Sequence, residues 1–234
     1  MTTTTTMNRA MQTRMTIWER LGAAEGLWAV LLLAVQALLL ANSAIDWSDS
    51  DATVASTLRD ERMTYEAVTF LRVVAGLMIV WFAGSLATRL RSAEGSPGRL
   101  ATIGLATCAL WGMLWLLAAL FNSAAILMAN DYSNDAGARM LGTLARETVY
   151  VLGPGVAVVT TLCVAFVATR FGGFPKWYGP ITLAACAGLF VLAVADWWGS
   201  FDLSMTLQVL ALAWLALSSA VLMMEPPGRV AAAS

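Results

Sequence analysis

Residues 101–129 read ATIGLATCALWGMLWLLAALFNSAAILMA, a run of 29 residues without a charged side chain. About 20 apolar residues in an α-helix cross the ~30 Å hydrocarbon core of a bilayer. A helix is required because lipid offers no partner to an unpaired backbone N–H or C=O group. The run is longer than a crossing needs, so this helix should tilt or extend beyond the bilayer.

Five further apolar runs accompany this one. None has the alternating pattern of a membrane β-strand, and each is long enough for a transmembrane helix. They cover residues 23–42, 67–87, 148–169, 180–200 and 204–224. The sequence therefore predicts an all-α fold, a polytopic helical membrane protein with six transmembrane helices in contact with the lipid bilayer.

The composition excludes several classes of function. The chain is 59% hydrophobic and 12% charged, and its net charge of -1 excludes a nucleic-acid partner bound through phosphate neutralisation. It contains no histidine, which removes haem imidazoles, histidine metal sites and nucleophile–histidine relays. The three cysteines lie inside apolar runs and are typical of small buried side chains. We expect no cofactor, no metal site and no catalytic residue.

Basic residues are unevenly distributed between the two sides of the predicted bundle. By the positive-inside rule, the richer side is cytoplasmic and holds both termini. It carries Arg9, Arg14, Arg20, Arg89, Arg91, Arg99, Arg170, Lys176 and Arg229. The chain then divides into a cytoplasmic N-terminal segment (1–21), a transmembrane domain (22–225) and a cytoplasmic tail (226–234). The N-terminal segment has a disordered start, followed by a short amphipathic helix on the membrane surface or, as the alternative, by a flexible tail.

The first run allows an alternative interpretation. Arginines precede it, and residues 41–44 (ANSA) resemble a signal-peptide cleavage site, so that cleavage would leave five spans. The chain also uses 13 arginines and one lysine amid abundant Ala, Leu and Val. This usage indicates a GC-rich bacterial genome, and we therefore expect a bacterial plasma membrane.

Two cytoplasmic turns stand out beside the Ala- and Leu-rich spans. One is ATRLR at 87–91 with glycines at 95 and 98, and the other is FPKWYG at 174–179. In these features the chain resembles small multi-pass membrane proteins of actinobacteria, a group of unassigned function. The resemblance covers roughly residues 20–224 and implies no catalytic or binding residue. ATR at 87–89 and 168–170 also indicates a repeat of spans 2–3 in spans 4–5, with chance similarity as the alternative.

Strongly polar side chains lie toward the outer ends of the spans. Arg72 lies five residues past Ala67, about 7.5 Å into the bilayer. An unpaired guanidinium there is expensive, so we expect a carboxylate partner, for which Glu147 and Asp196 are best placed. The candidate polar vestibule or ion-pair cluster comprises Arg72, Glu147, Asp196, Glu66, Asn122 and Gln208.

Two interpretations of this cluster stay open. In the structural one, Arg72 reaches the outer interface or locks helices through an ion pair. In the functional one, the cluster lines an outward-facing cavity for a polar or anionic solute. Gly153, Pro154 and Gly155 predict a kink or break in the fourth span. Broken helices bind ions or substrates in some transporters, and kinks also occur in purely structural spans.

Three functions follow as hypotheses. The small loops and the absence of catalytic groups favour an accessory or interaction subunit, with a membrane-protein partner or as a homo-oligomer. The alternative is a small-solute transporter or channel with an outward-facing vestibule. The second alternative is an intramembrane enzyme that acts on a lipid through the same carboxylates.

Overall fold

A computed structural model describes residues 2–41, 43, 45–197 and 203–224, with side chains described from residue 20 onward and not at residue 197. Helices dominate this part of the chain, and it contains no strand. In chain order they are α1 (Thr2–Leu40), α2 (Asp51–Asp60), α3 (Arg62–Glu94), α4 (Arg99–Asn130), α5 (Asp135–Glu147), α6 (Gly153–Arg170), α7 (Tyr178–Trp197) and α8 (Ser204–Met224). A π-helical segment, Thr148–Leu152, joins α5 to α6.

The prediction of six apolar helices is confirmed. Helices that are long and apolar enough to cross a membrane cover Arg20–Leu40, Arg62–Glu94, Arg99–Asn130, Asp135–Arg170, Tyr178–Asp196 and Ser204–Met224. The chain is therefore a multi-pass membrane protein by the length and composition of its helices. Residue 42, residues 198–200 and the tail 226–234 of the predicted boundaries lie outside the described residues, as does part of the cleavage motif 41–44.

Several helices extend beyond the apolar runs that identify them. The second run covers 67–87, whereas α3 has 33 residues and is about 50 Å long. Its polar ends continue the helix past the ~30 Å hydrocarbon core, because water and headgroups tolerate charged side chains on a helix. α1 likewise begins at Thr2, so the helix includes residues 2–21 of the segment for which the sequence predicts a disordered start. No proline interrupts that segment.

The centre of the bundle is the α3–α4 pair, with α1 packed on α3 and α6 packed on α4. The backbones of α3 and α4 touch at Gly76 and Gly112. A Cβ atom at Gly112 would lie 2.7 Å from the carbonyl oxygen of Gly76. Small residues permit such close approach between membrane helices. The large side chains of Ile79, Phe82 and Trp111 fill the core beside this contact.

A tight turn joins α3 to α4 and is closed by a carboxylate. Glu94, the last residue of α3, accepts hydrogen bonds from the backbone N–H groups of Leu100 (3.0 Å) and Ala101 (2.8 Å). These are among the first-turn donors of α4 that lack a partner within the helix. Gly95 and Gly98 have φ of 76° and 62°, which glycine adopts without strain.

Residues 45–50, α2 and α5 form a layer on one end of the bundle, which we call the cap. Arg139 of α5 pairs with Asp51 at 2.9 Å and donates to the Trp47 carbonyl at 3.2 Å. The Trp47 ring rests on Gly142, where a Cβ atom would overlap it. Hydrogen bonds from Ser48 lower the pKa of the exposed Asp46 carboxyl. The end of the bundle with the turns at 95–98 and 171–177 is called the turn side.

Candidate functional site: a polar cleft between α1 and α8

α1 and α8 touch on the turn side and separate toward the cap. Near the turn side, the backbone N–H of Leu27 donates to Ser219 Oγ at 3.0 Å, and the same hydroxyl donates to the Ala23 carbonyl. Toward the cap, a cleft of about 930 Å³ opens between residues 30–41 of α1 and 204–213 of α8. This volume lies at the upper end of the range for small-molecule sites.

The back wall of the cleft belongs to α3, α4 and the junction of α5 with the π-helical segment. Trp115, which lies at the midpoint of α4, is part of this wall. The cleft therefore extends from the cap to about half the length of the bundle. About half of its described lining residues are aliphatic, and Arg72 of α3 and Gln36 of α1 form a hydrogen-bonded pair among the polar ones.

Among the polar residues of the described lining, Arg72 is a buried charge, whereas Arg146 is half-buried. The side chain of Arg72 is 7% exposed. Along α3, Arg72 lies six residues from the midpoint of the helix, which is about 9 Å toward the cap. Nε donates to Gln36 Oε1 at 3.3 Å. Within the described chain, no carboxylate oxygen lies within 4.0 Å of its guanidinium nitrogens. Gln36, rather than Glu147 or Asp196, contacts Arg72, and the side chain of Arg72 is buried.

Gln208 enters the cleft from α8. Its side chain is 4% exposed, and neither amide atom has a hydrogen-bond partner among the described residues. The indole N–H of Trp115, on the same wall, also lacks a partner there. A buried polar group without a partner costs about 1–3 kcal/mol. The lining of the cleft therefore includes the Arg72 guanidinium, with unused donors, and a buried amide and indole N–H without a partner among the described residues.

Asn122 and Tyr65 are also on the back wall, but protein groups occupy their donors. Asn122 Nδ2 donates to Thr69 Oγ1 at 2.6 Å and to the Tyr65 carbonyl at 3.3 Å. The Tyr65 hydroxyl donates to the Ser43 carbonyl, next to the cap. These two residues shape the wall and tie α3 to α4 and to the loop after α1.

The three predicted carboxylates lie outside the cleft. Glu147 pairs with its neighbour Arg146 at 3.0 Å. Asp196 accepts from the backbone N–H of Leu203 at 2.8 Å, across the connection from α7 to α8. Glu66 pairs with Arg62 at 2.7 Å, beside a separate surface groove of about 320 Å³ between α3 and α4. Of the six candidates, the structure brings Arg72, Asn122 and Gln208 to one cavity.

The segment at Gly153, Pro154 and Gly155 remains helical. Pro154 has no N–H for the carbonyl four residues earlier, and the chain accommodates this with the π-helical turn before Gly153. A Cβ atom at Gly153 would lie 3.5 Å from Trp111 Nε1 and 4.0 Å from Gln208 Oε1, whereas Gly155 has open space. The π-helical turn carries Tyr150 on the wall of the cleft.

The site contains residues that are absent from the candidate cluster. They are Gln36, Tyr65, Trp115, Arg146 and Tyr150. Gln36 carries a sequence signal, because it is polar within an apolar run. The aromatic residues carry none, because tyrosine and tryptophan in a span are equally typical of core packing. Their grouping depends on which helices are neighbours, and this is a property of the tertiary fold.

The described lining of the cleft includes two arginines and no Asp or Glu. They are Arg146, which pairs with Glu147, and the buried Arg72. The described residues also contain no group of three or more His, Cys, Asp or Glu side chains that could hold a metal ion. Guanidinium, amide and indole donors in a mostly apolar cavity are suited to binding an anion. Comparisons with protein-family models, curated proteins and solved structures found no match, so function is inferred from this geometry.

Proposed function

We propose that the protein is a membrane-embedded binding protein or carrier that takes a small anionic solute into the cleft between α1 and α8. The observation that carries the proposal is the burial of Arg72 without a carboxylate partner among the described residues. The proposal includes the orientation expected from the basic residues: the cap faces the outside, both termini are cytoplasmic, and the membrane is a bacterial plasma membrane.

The energetics of a buried arginine support an anionic ligand. Insertion scales assign about 2.5–3.5 kcal/mol to an arginine at the centre of a transmembrane helix. A neutral Gln36 oxygen offsets only part of this penalty, since hydrogen bonds to charged groups contribute about 1.5–3 kcal/mol. An anion in the cleft would supply both the missing hydrogen bonds and the opposite charge.

The cleft also favours this proposal over the other two hypotheses. An accessory subunit acts through its outer surface and has no need for a cavity with unpartnered donors. An intramembrane enzyme that uses Glu147 and Asp196 would need these carboxylates at the substrate, and both lie outside the cleft with partners of their own. A partner protein or homo-oligomer is compatible with the proposal but does not support it.

Thermal unfolding in a neutral maltoside detergent, with rising inorganic phosphate or benzoate at constant ionic strength, tests the proposal. A ligand that binds only the folded state raises the unfolding midpoint. We expect this rise in the wild type and its loss in Arg72→Gln. The matched control is Arg62→Gln, which removes an exposed guanidinium from the same helix. The proposal would be contradicted if neither anion changed the unfolding midpoint of the wild type. It would also be contradicted if the midpoint of Arg72→Gln rose as much as that of the wild type.

A further inference from the structure

We infer that the ligand of the cleft is an anionic amphiphile from the membrane, which enters sideways between α1 and α8 with its headgroup on Arg72. This inference rests on the proposed function and adds the class of ligand and its route. Four features of the described residues support it: an open lateral rim, a covered cap end, a closed turn side, and the arrangement of polar and apolar lining.

The lateral rim lies on the exposed faces of two helices that are long and apolar enough to cross a membrane. On α1 it consists of Ala34, Ala37 and Leu38, and on α8 of Met205 and Val209. The large members of this set are well exposed, with Leu38 at 72% and Val209 at 58%. Exposed apolar side chains on a transmembrane helix face lipid. The gap between the two rims therefore opens toward acyl chains rather than water.

The two ends of the cleft are less open than its side. At the cap end, Trp47 lies over the cleft and is held by the contact of its ring with Gly142 and by the bond from Arg139 to its carbonyl. At the turn side, the contacts of Ser219 with α1 bring α1 and α8 together. A ligand that comes from the membrane avoids both of these closures.

The lining has the polarity of an amphiphile. Arg72 of α3 supplies the charged group at the back of the cavity, and aliphatic side chains of α1 and α8 form its front. Gln208 and Trp115 also line it, with polar atoms that are buried and lack a partner among the described residues. The buried guanidinium of Arg72, whose partner among the described residues is the neutral Gln36, favours a negative headgroup such as a phosphate or carboxylate. A single alkyl chain can lie between the two helices while the headgroup contacts the guanidinium.

The inference predicts an effect of the alkyl chain on the concentration needed for binding. Dodecyl phosphate partitions into the detergent micelle and reaches the cleft from the side at a high local concentration, whereas inorganic phosphate stays in water. Dodecyl phosphate should therefore raise the unfolding midpoint at a total concentration well below that of inorganic phosphate. 1-Dodecanol, which has the chain but no charge, should not raise it. Arg72→Gln should lose the response to dodecyl phosphate and Arg72→Lys should keep part of it.

Two tryptophan substitutions on α1 test the lateral route. Ala37→Trp places a bulky ring on the rim and should slow the association of dodecyl phosphate at least tenfold in rapid-mixing experiments, while inorganic phosphate binds at an unchanged rate. Val35→Trp is the matched control, because Val35 is exposed on the same helix but does not line the cleft. Equal association rates of dodecyl phosphate for Ala37→Trp and the wild type would overturn lateral entry.

The ligand series separates the inference from the proposed function. If inorganic phosphate and dodecyl phosphate act at the same concentration, the cleft binds an anion but not an amphiphile, and this inference is wrong. If dodecanol raises the midpoint as much as dodecyl phosphate does, the site recognises the alkyl chain alone, and the role of the headgroup is refuted. If no anion in the series shifts the midpoint, the proposed function fails together with the inference.

Discussion

At Arg72, the requirements of protein stability and of ligand binding oppose each other. A buried guanidinium with a single neutral partner carries a desolvation penalty that its hydrogen bond does not fully offset. Replacement by an apolar residue of similar length should remove this penalty. We expect the free energy of unfolding of Arg72→Met, measured by denaturant titration without added anion, to equal that of the wild type or to exceed it by up to about 2 kcal/mol.

The same variant should no longer respond to phosphate or dodecyl phosphate. Such a gain in stability with loss of binding is typical of a residue retained for function. If Arg72 had a structural role, Arg72→Met would instead destabilise the protein. A decrease of more than about 2 kcal/mol in the free energy of unfolding would show that the guanidinium is needed to hold the helices together.

The contact of Gly76 with Gly112 gives a second prediction for single residues. Gly112→Ala places a Cβ atom against a backbone oxygen and a Val80 methyl group, so α3 and α4 must move apart. Overpacking of this kind costs about 1–3 kcal/mol. Gly84→Ala is the control, since a Cβ atom there meets nothing within 4 Å and alanine favours the helix. Equal unfolding free energies for the two variants would contradict the close contact.

At the scale of the elements, the π-helical turn connects the cap to the cleft. Pro154 cannot donate to the Tyr150 carbonyl, which favours the wider turn. Pro154→Ala supplies that donor, so the segment should revert toward α-helix and rotate Tyr150 on the cleft wall. We expect binding of dodecyl phosphate to weaken severalfold in the midpoint assay, with the fold intact by circular dichroism.

Pro180→Ala serves as the control for this change. Pro180 lies in the first turn of α7, where a missing N–H breaks no intrahelical bond. Its replacement should leave binding unchanged. If Pro154→Ala bound as tightly as Pro180→Ala, the π-helical turn would have no part in shaping the cleft.

The sequence predicts the positions of the transmembrane helices well because hydrophobicity alone determines them. It predicts their ends less well: α3 begins at Arg62 rather than at 67, since the helix continues where its side chains become polar. Within the site, Arg72, Asn122 and Gln208 are recognisable as polar residues in apolar runs. The contact of Gln36 with Arg72 is not, because it depends on α1 packing against α3, which periodicity does not encode.

For the whole molecule, the expected orientation follows from the basic residues of the turn side. Ser48 in the cap and Ser96 in the turn between α3 and α4 are both exposed and suited to labelling as Ser48→Cys and Ser96→Cys. A membrane-impermeant maleimide should label Ser48→Cys in intact cells and Ser96→Cys only after permeabilisation. The native cysteines are buried and provide a low background. The reverse labelling pattern would contradict the orientation.

The most direct measurement of the cleft and its ligand is a density map of the protein purified from a bacterial membrane in neutral detergent, at a resolution that shows side chains. We expect elongated density between α1 and α8, with a compact head within hydrogen-bond distance of the Arg72 guanidinium and a tail along the aliphatic rim. A map in which α1 and α8 meet along their whole length, with Arg72 paired to a carboxylate of the protein, would contradict the proposal.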